Sequence, residues 1–270
     1  MCRWLAYNGQ PIHLETLVSQ PRHSLVHQSQ SAAECKAVTN GDGFGVGWYG
    51  AFEEPGVYRD ILPAWSDDNL KSLCRQIASS LFFAHVRAST GTATSRANCH
   101  PFVSGRWMFM HNGQIGGWEK VRRRIESMLP DERYCQRKGT TDSEAIFLIA
   151  DEALLMRDPV HAMLDALARI RRATVESGVQ EALRFAAALT DGRMLYAFRY
   201  ASDDRPPTLY WREVDGNVTV VSEPLDSEAE GWRAVSPNSA LAVSPLGRVE
   251  VTPFDVERAA GICARGLAVA

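Results

Sequence analysis

The sequence predicts an α+β fold built in layers, with antiparallel sheets. Three observations carry this expectation. Helical periodicity concentrates in the middle of the chain, and strand-length apolar runs lie on both sides of it. Between two of those runs, Thr190-Asp191-Gly192-Arg193 contains Asp-Gly, the strongest short hairpin signal.

Residues 2–8 (CRWLAYN) read as a strand that begins at the N-terminus and sets Cys2 at a strand end. From Gly41 to Gly50, glycines 41, 43, 45 and 47 alternate with Asp42, Phe44, Val46 and Trp48. One face of this strand must therefore admit another backbone or a ligand, and tight sheet packing serves as well as a binding role. A helix is expected from Ser66 to about Ser79, where acidic residues follow a capping serine. The apolar runs Leu81 to Arg87 (LFFAHVR) and Trp107 to His111 (WMFMH) are of strand length and end in polar residues. Helices follow over Glu119 to Leu129, Asp142 to Met156 and Asp158 to about Val175, the second with acids in its first turn. Strands return at Arg184 to Leu189, Met194 to Tyr200, Thr208 to Arg212, Val218 to Ser222 and Val249 to Thr252. With no repeat, linker or composition break, residues 1–270 are expected to form a single domain, with about 255–270 as an unassigned tail.

Composition narrows the function classes. The chain is 45% apolar and 23% charged, an ordinary globular balance. Its 29 basic and 32 acidic residues are interspersed, for a net charge of -3, so no nucleic-acid partner is expected. The run Arg122-Arg123-Arg124 splays around a helix and reads as a solvated face rather than an anion site. No segment has the ~18 consecutive apolar residues of a membrane helix, and the first residues lack a signal peptide's pattern, so a cytoplasmic protein is expected. The six cysteines (2, 35, 74, 99, 135 and 263) are scattered without a CxxC pair, which predicts free thiols. His85, His100 and His111 with Cys99 do not have the spacing of a zinc motif, and no metal or other cofactor is expected.

Chemistry gathers at the N-terminus and at three strand-to-loop junctions. A small residue after the initiator permits removal of Met1, which leaves Cys2 with a thiol and a free α-amine. The two groups titrate near ~8.5 and ~7.7–8.0, so one residue holds both a nucleophile and its base. Buried cysteines elsewhere are commonly small hydrophobes, and that use is open here as well. In Ala84-His85-Val86-Arg87-Ala88-Ser89-Thr90-Gly91, Arg87 offers a bidentate fork to a carboxylate and Thr90 a hydroxyl, although Arg87 could also make a structural ion pair. In His111-Asn112-Gly113, a side-chain amide and a glycine N–H can aim two donors at one oxyanion, or form a plain turn. In Gly139-Thr140-Thr141-Asp142-Ser143-Glu144, Asp142 could hold an ammonium group, or either Asp142 or Thr141 could cap the helix. Together these groups could hold an α-amino acid by both ends and attack its side-chain carbonyl.

Met-Cys at the start, AHVRAST, CHPF, HNGQI and TTDSE, in this order, resemble the glutaminase domain of class II glutamine amidotransferases. The likeness covers about residues 2 to 150. Residues 180 to 254, with Val221-Ser222-Glu223-Pro224, are similar to the second half of the same domain in stand-alone members, among them the γ-glutamyl hydrolase of ergothioneine biosynthesis. The resemblance implies a four-layer αββα sandwich of the N-terminal nucleophile hydrolase type. It implies Cys2 as nucleophile with its α-amine as base, and Asn112 and Gly113 as the oxyanion hole. Arg87 is then the α-carboxylate site, Asp142 the α-ammonium site and Thr90 a further substrate contact. Synthase-coupled members have Arg-Gly ahead of the Asp-Gly at Asp42-Gly43 and Arg-Trp-Ala-Thr-His where this chain has Arg87-Ala88-Ser89-Thr90-Gly91. Much of the 126 residues after Glu144 (270 minus 144) reads as helices and strands completing the sandwich, so no acceptor domain of usual size is expected in them. The expectation is a glutaminase or γ-glutamyl amide hydrolase that needs no cofactor and acts on a small γ-glutamyl substrate. Alternatives on the same fold are a subunit feeding ammonia to a separate synthase, an acylase of other amides and a non-catalytic glutamine sensor, and the partner could be a separate synthase subunit or a second copy in a homo-oligomer.

Overall fold

Strand-length apolar runs with β-branched and aromatic residues condense into two antiparallel sheets. The structure, a computed structural model, describes residues 2–31, 39–89, 93–226 and 231–262. In chain order the strands are β1 (Arg3–His13), β2 (Phe44–Trp48), β3 (Gly56–Asp60), β4 (Ala78–Val86), β5 (Phe102–Ser104), β6 (Trp107–Gln114), β7 (Arg184–Thr190), β8 (Leu195–Ala201), β9 (Tyr210–Val214), β10 (Asn217–Val221), β11 (Arg233–Ala234), β12 (Ser239–Val243) and β13 (Val249–Pro253). The first sheet runs β11-β9-β10-β1-β4-β2-β3 and the second β13-β12-β8-β7-β6-β5. The N-terminal strand is central to the first sheet, and β6, the strand of the HNGQ motif, lies next to the edge of the second.

Both faces of the central strands are covered, so their apolar runs are continuous instead of alternating with polar residues. The alternation reappears in where each residue packs. From β1, Trp4 and Ala6 join Met108, Met110, Ala188 and Leu241 between the sheets. Leu5 and Tyr7 point the other way, into a cluster with Val18, Leu25 and Leu70 from α1 (Glu15–Val18), α2 (Leu25–Gln30) and α3 (Asp68–Gln76). Behind the second sheet, Phe109, Phe185 and Phe198 pack on α4 (Trp118–Glu126), α6 (Asp142–Ile149), α7 (Glu152–Leu155), α8 (Pro159–Glu176) and α9 (Val256–Ala259) through residues such as Val121, Ile146, Met163 and Val256, with α5 (Asp131–Gln136) set against α6. Helices, sheet, sheet and helices form the four-layer αββα sandwich.

The alternating glycines serve packing. A Cβ at Gly45 would lie 2.0 Å from the His100 carbonyl oxygen, and one at Gly47 would lie 2.3 Å from Met108 Sδ. The missing side chains let the loop at His100-Pro101 and the second sheet close onto β2. The expected helix over 142–156 is instead two, because Asp151 accepts a hydrogen bond from Leu154 N (2.7 Å) and caps a new turn after Ile149. The helix expected from Ser66 starts at Asp68, since the carboxylate that reaches Leu70 N (2.6 Å) belongs to Asp67. The Asp-Gly hairpin joins β7 to β8 with Thr190 opposite Leu195, and Gly192 takes the positive φ of 88° that its turn requires. Arg122 and Arg124 are paired with Glu126 and Glu176, as expected of a solvated helix face. The strands β3, β5, β11 and β12 were not expected from the sequence.

Candidate active site

Register brings the candidate residues to one end of the space between the sheets. Arg3 pairs with Val86 across the β1–β4 ladder, which sets Cys2 opposite Arg87. Trp4 and Ala6 face the second sheet, and the two-residue period of β1 carries that direction back to Cys2. Met108 and Met110 face the first sheet, and the same period carries β6 forward to Asn112. The two strands meet where Asn112 Nδ2 donates to the Cys2 carbonyl oxygen at 2.9 Å. A cavity of about 780 Å³ opens there, and Cys2, Arg87, Asn112, Gly113 and Asp142 all line it. Five of the six residues singled out in the sequence therefore share one cavity. Thr90, the sixth, lies outside the described residues.

Each group is held by its local backbone. The Arg87 guanidinium donates to the Asp42 carbonyl oxygen (3.2 Å), Ser89 Oγ (3.1 Å) and the Ala93 carbonyl oxygen (3.4 Å), while the Asp42 carboxylate accepts from Ser89 N (2.7 Å). The adjacent Gly43 has φ 115°, and a Cβ there would meet Cys99 Sγ at 2.7 Å and the Asp60 carbonyl oxygen at 2.8 Å. The GDG segment thus threads beside the strand ends and fixes the arginine. Gly113 has φ 152°, and a Cβ on it would fall 1.9 Å from the Arg184 carbonyl oxygen, so β7 can approach the strand end closely only at a glycine. Thr141, not Asp142, caps α6: its Oγ1 accepts from Glu144 N at 3.2 Å. Asp142 occupies the first turn of α6. Its Oδ2 accepts from Ile115 N and its Oδ1 from Ser143 N, both at 2.8 Å, which joins the helix start to the end of β6.

Burial dominates the titration of this region. It pushes the Cys2 thiol above its usual range, against the opposing pull of nearby Arg87, and the thiol donates to the Ala88 carbonyl oxygen at 3.6 Å. Burial, with Arg87 adding repulsion, lowers His85 to about 3 and also depresses His100, whose ring stacks on His85 with centroids 4.2 Å apart. His111 is lowered by burial too, and its ring nitrogens lie 2.9 Å from Ser143 Oγ and 3.2 Å from the Arg184 carbonyl oxygen. These imidazoles are neutral near pH 7, so no imidazolium is at hand to draw out a thiolate.

Acid stability should follow from the same shift. The folded His85 refuses a proton that the unfolded chain accepts below about pH 6.5, so stability is lost as pH falls from that value toward 3. Between pH 7 and pH 5 this one group should cost about 2 kcal/mol. Urea unfolding at both pH values should show a smaller loss in His85→Leu than in the parent. Equal losses would mean that His85 is not held neutral.

Several residues of this region were not singled out in the sequence as site residues. Asn98, Trp118, Lys120 and Arg184 line the cavity. Asn98 joins the CHPF loop to the TTDSE segment through Thr140 N (2.8 Å). Arg3 and Glu223 form a buried ion pair (2.6 Å) beside Cys2, and the only sequence signal for it was the Val221-Ser222-Glu223-Pro224 motif.

Comparison with known proteins places this chain in a family. The family model of class II glutamine amidotransferases matches residues 13–207. The chain is 34% identical over 293 residues to the probable glutamine amidotransferase DUG3 of Saccharomyces cerevisiae, covering 90% of this chain and 82% of that protein. It is 33% identical over 120 residues to the γ-glutamyl-hercynylcysteine sulfoxide hydrolase of Mycolicibacterium smegmatis, covering 43% of this chain and 52% of that one. Among solved structures, a glutamine aminotransferase class-II domain protein from Silicibacter pomeroyi superposes with a TM-score of 0.74 at 37% identity, covering 94% of this chain and 99% of that chain. The glutamine phosphoribosylpyrophosphate amidotransferase of B. subtilis shares the fold, with a TM-score of 0.61 at 14% identity over 94% of this chain and 49% of that chain. The two-sheet sandwich is thus that of the amidotransferase enzymes, and the protein is an amidohydrolase. The chain belongs to the class II glutamine amidotransferases.

Proposed function

We propose that this protein hydrolyses γ-glutamyl amides, with Cys2 as the nucleophile once Met1 has been removed. The observation that carries the reading is the single cavity lined by a thiol, a guanidinium, a carboxylate and two hydrogen-bond donors. Arg87 takes the substrate α-carboxylate and Asp142 the α-ammonium, which places the γ-carbonyl over Cys2. The Cys2 α-amine accepts the thiol proton, because the neighbouring imidazoles are depressed and the buried thiol ionises poorly unaided. The sulfur attacks the γ-carbon, and the carbonyl electrons move to an oxyanion. That oxyanion accepts from Gly113 N and from the Asn112 amide, whose Nδ2 has a second hydrogen besides the one given to Cys2. Collapse breaks the C–N bond, and the Cys2 ammonium protonates the departing ammonia or amine. Water, deprotonated by the same amine, then attacks the thioester and releases glutamate and the thiol.

Every described strand belongs to one of the two sheets, which supports a single amidotransferase domain over the described residues. The likeness to a γ-glutamyl hydrolase supports a substituted γ-amide as substrate beside free glutamine. Purified, processed protein should release glutamate from glutamine or a γ-glutamyl amine with no nucleotide, metal or organic cofactor added. Strict dependence on ATP or on a separate synthase subunit would overturn this in favour of an ammonia-supplying subunit. Binding without turnover would indicate a glutamine sensor.

A further inference from the structure

The Ser222-Glu223 segment holds the start of the nucleophile strand in a way that regular sheet pairing does not. The β1–β10 ladder ends at Leu5 opposite Val221. Beyond it, Ser222 N donates to the Trp4 carbonyl oxygen (3.0 Å) and Ser222 Oγ accepts from Trp4 N (2.9 Å). One residue further, Glu223 Oε2 accepts from Arg3 Nε (2.6 Å), while Glu223 Oε1 lies 2.6 Å from His23 Nε2. Arg3 Nη1 donates in turn to the Cys2 carbonyl oxygen (3.1 Å), the same oxygen that accepts from Asn112. The ion pair joins residues 220 apart in sequence, with side chains 0% and 2% exposed.

Such a pair is a poor device for stability alone. Desolvating both charges offsets most of their attraction, and well-packed apolar residues in the same space commonly do as well. What the pair does accomplish is geometric. Two side-chain donors from different directions fix the Cys2 carbonyl, and so the torsion between that carbonyl and the Cα bearing both the thiol and the α-amine. Nucleophile and base are aimed together.

We propose that Glu223 and Arg3 are positioning residues that orient Cys2 for attack, acting through the Cys2 carbonyl without touching substrate. The inference rests on Cys2 being the nucleophile. A misplacement near 1 Å at a reacting atom can cost about a hundredfold in rate. The test is the inactivation of processed protein by a glutamine-directed diazo-oxo electrophile, resolved into binding (KI) and covalent capture (kinact), with the labelled fraction read by intact mass. Glu223→Gln keeps the shape but not the charge. Arg3→Lys keeps the charge but cannot reach Glu223 and the Cys2 carbonyl through one planar group. In both, kinact should fall at least about tenfold while KI moves less than about twofold. A kinact at the parental value in either folded variant overturns the proposal. So does a smaller labelled fraction at parental kinact, the signature of plain destabilisation. If Glu223→Gln does not fold, Arg3→Lys decides alone by the same criteria. A Cys2→Ala control that is labelled like the parent would sink the nucleophile assignment, a failure distinct from that of the positioning pair.

Discussion

Cys2→Ala is expected to abolish amide hydrolysis, by at least about a thousandfold, while leaving the fold intact. Both halves follow from the environment of residue 2. Residue 2 as a whole is half-buried, and the thiol's hydrogen bond to the Ala88 carbonyl is weak at 3.6 Å, so its loss removes little packing. The groups that hold the strand belong to the backbone of residues 2 to 4 and to the Arg3 side chain, and they survive the substitution. Chemistry loses its thiol: the hydroxyl paired with a nearby histidine, Ser143 Oγ at 2.9 Å from the His111 ring, is a weaker nucleophile and sits at the start of α6, not beside Ala88. Thermal unfolding within a few degrees of the parent, combined with no glutamate release, is the expected pair of results. Full activity in Cys2→Ala would remove the basis of the proposed mechanism.

Arg87→Lys should raise KM for γ-glutamyl substrates and lower kcat/KM by about ten- to over a hundredfold, the usual range for a lost charged hydrogen bond. The guanidinium already bridges the Asp42 carbonyl, Ser89 and Ala93, so it ties these residues together as well as facing the cavity. A lysine supplies the charge but not the fork. The two roles separate with a substrate whose α-carboxylate is converted to an amide. If Arg87 binds that carboxylate, parent and variant should differ little on the amidated compound. An equal defect on both compounds would make Arg87 a loop support, and no defect on either would remove it from the site.

The elements that read well from the sequence are those with both faces covered. The runs in β1, β4 and β6 have no polar face to confuse them, and their ends carried the motifs that register then brought together. Strand β3 was missed because Gly56–Asp60 is a partly exposed edge with no apolar run. The break between α6 and α7 was missed because apolar spacing continues across it, while the cap at Asp151 acts locally against that pattern. In the site, Arg87, Asn112, Gly113 and Asp142 were legible since each sits where a strand or helix begins or ends in polar residues. The Arg3–Glu223 pair was not, since nothing local to either residue says that β10 returns beside β1. His85 and His100 drew attention as metal-ligand types, yet their neutral stack follows only from the burial that two covered sheets impose.

The central claim is that one residue supplies both nucleophile and base, and intact-mass analysis of purified protein before and after the glutamine-directed electrophile tests it most directly. The account predicts a chain that begins at Cys2 and takes up a single adduct, which peptide mapping places on Cys2. Fully active protein that retains Met1, or an adduct on any other residue, would contradict it.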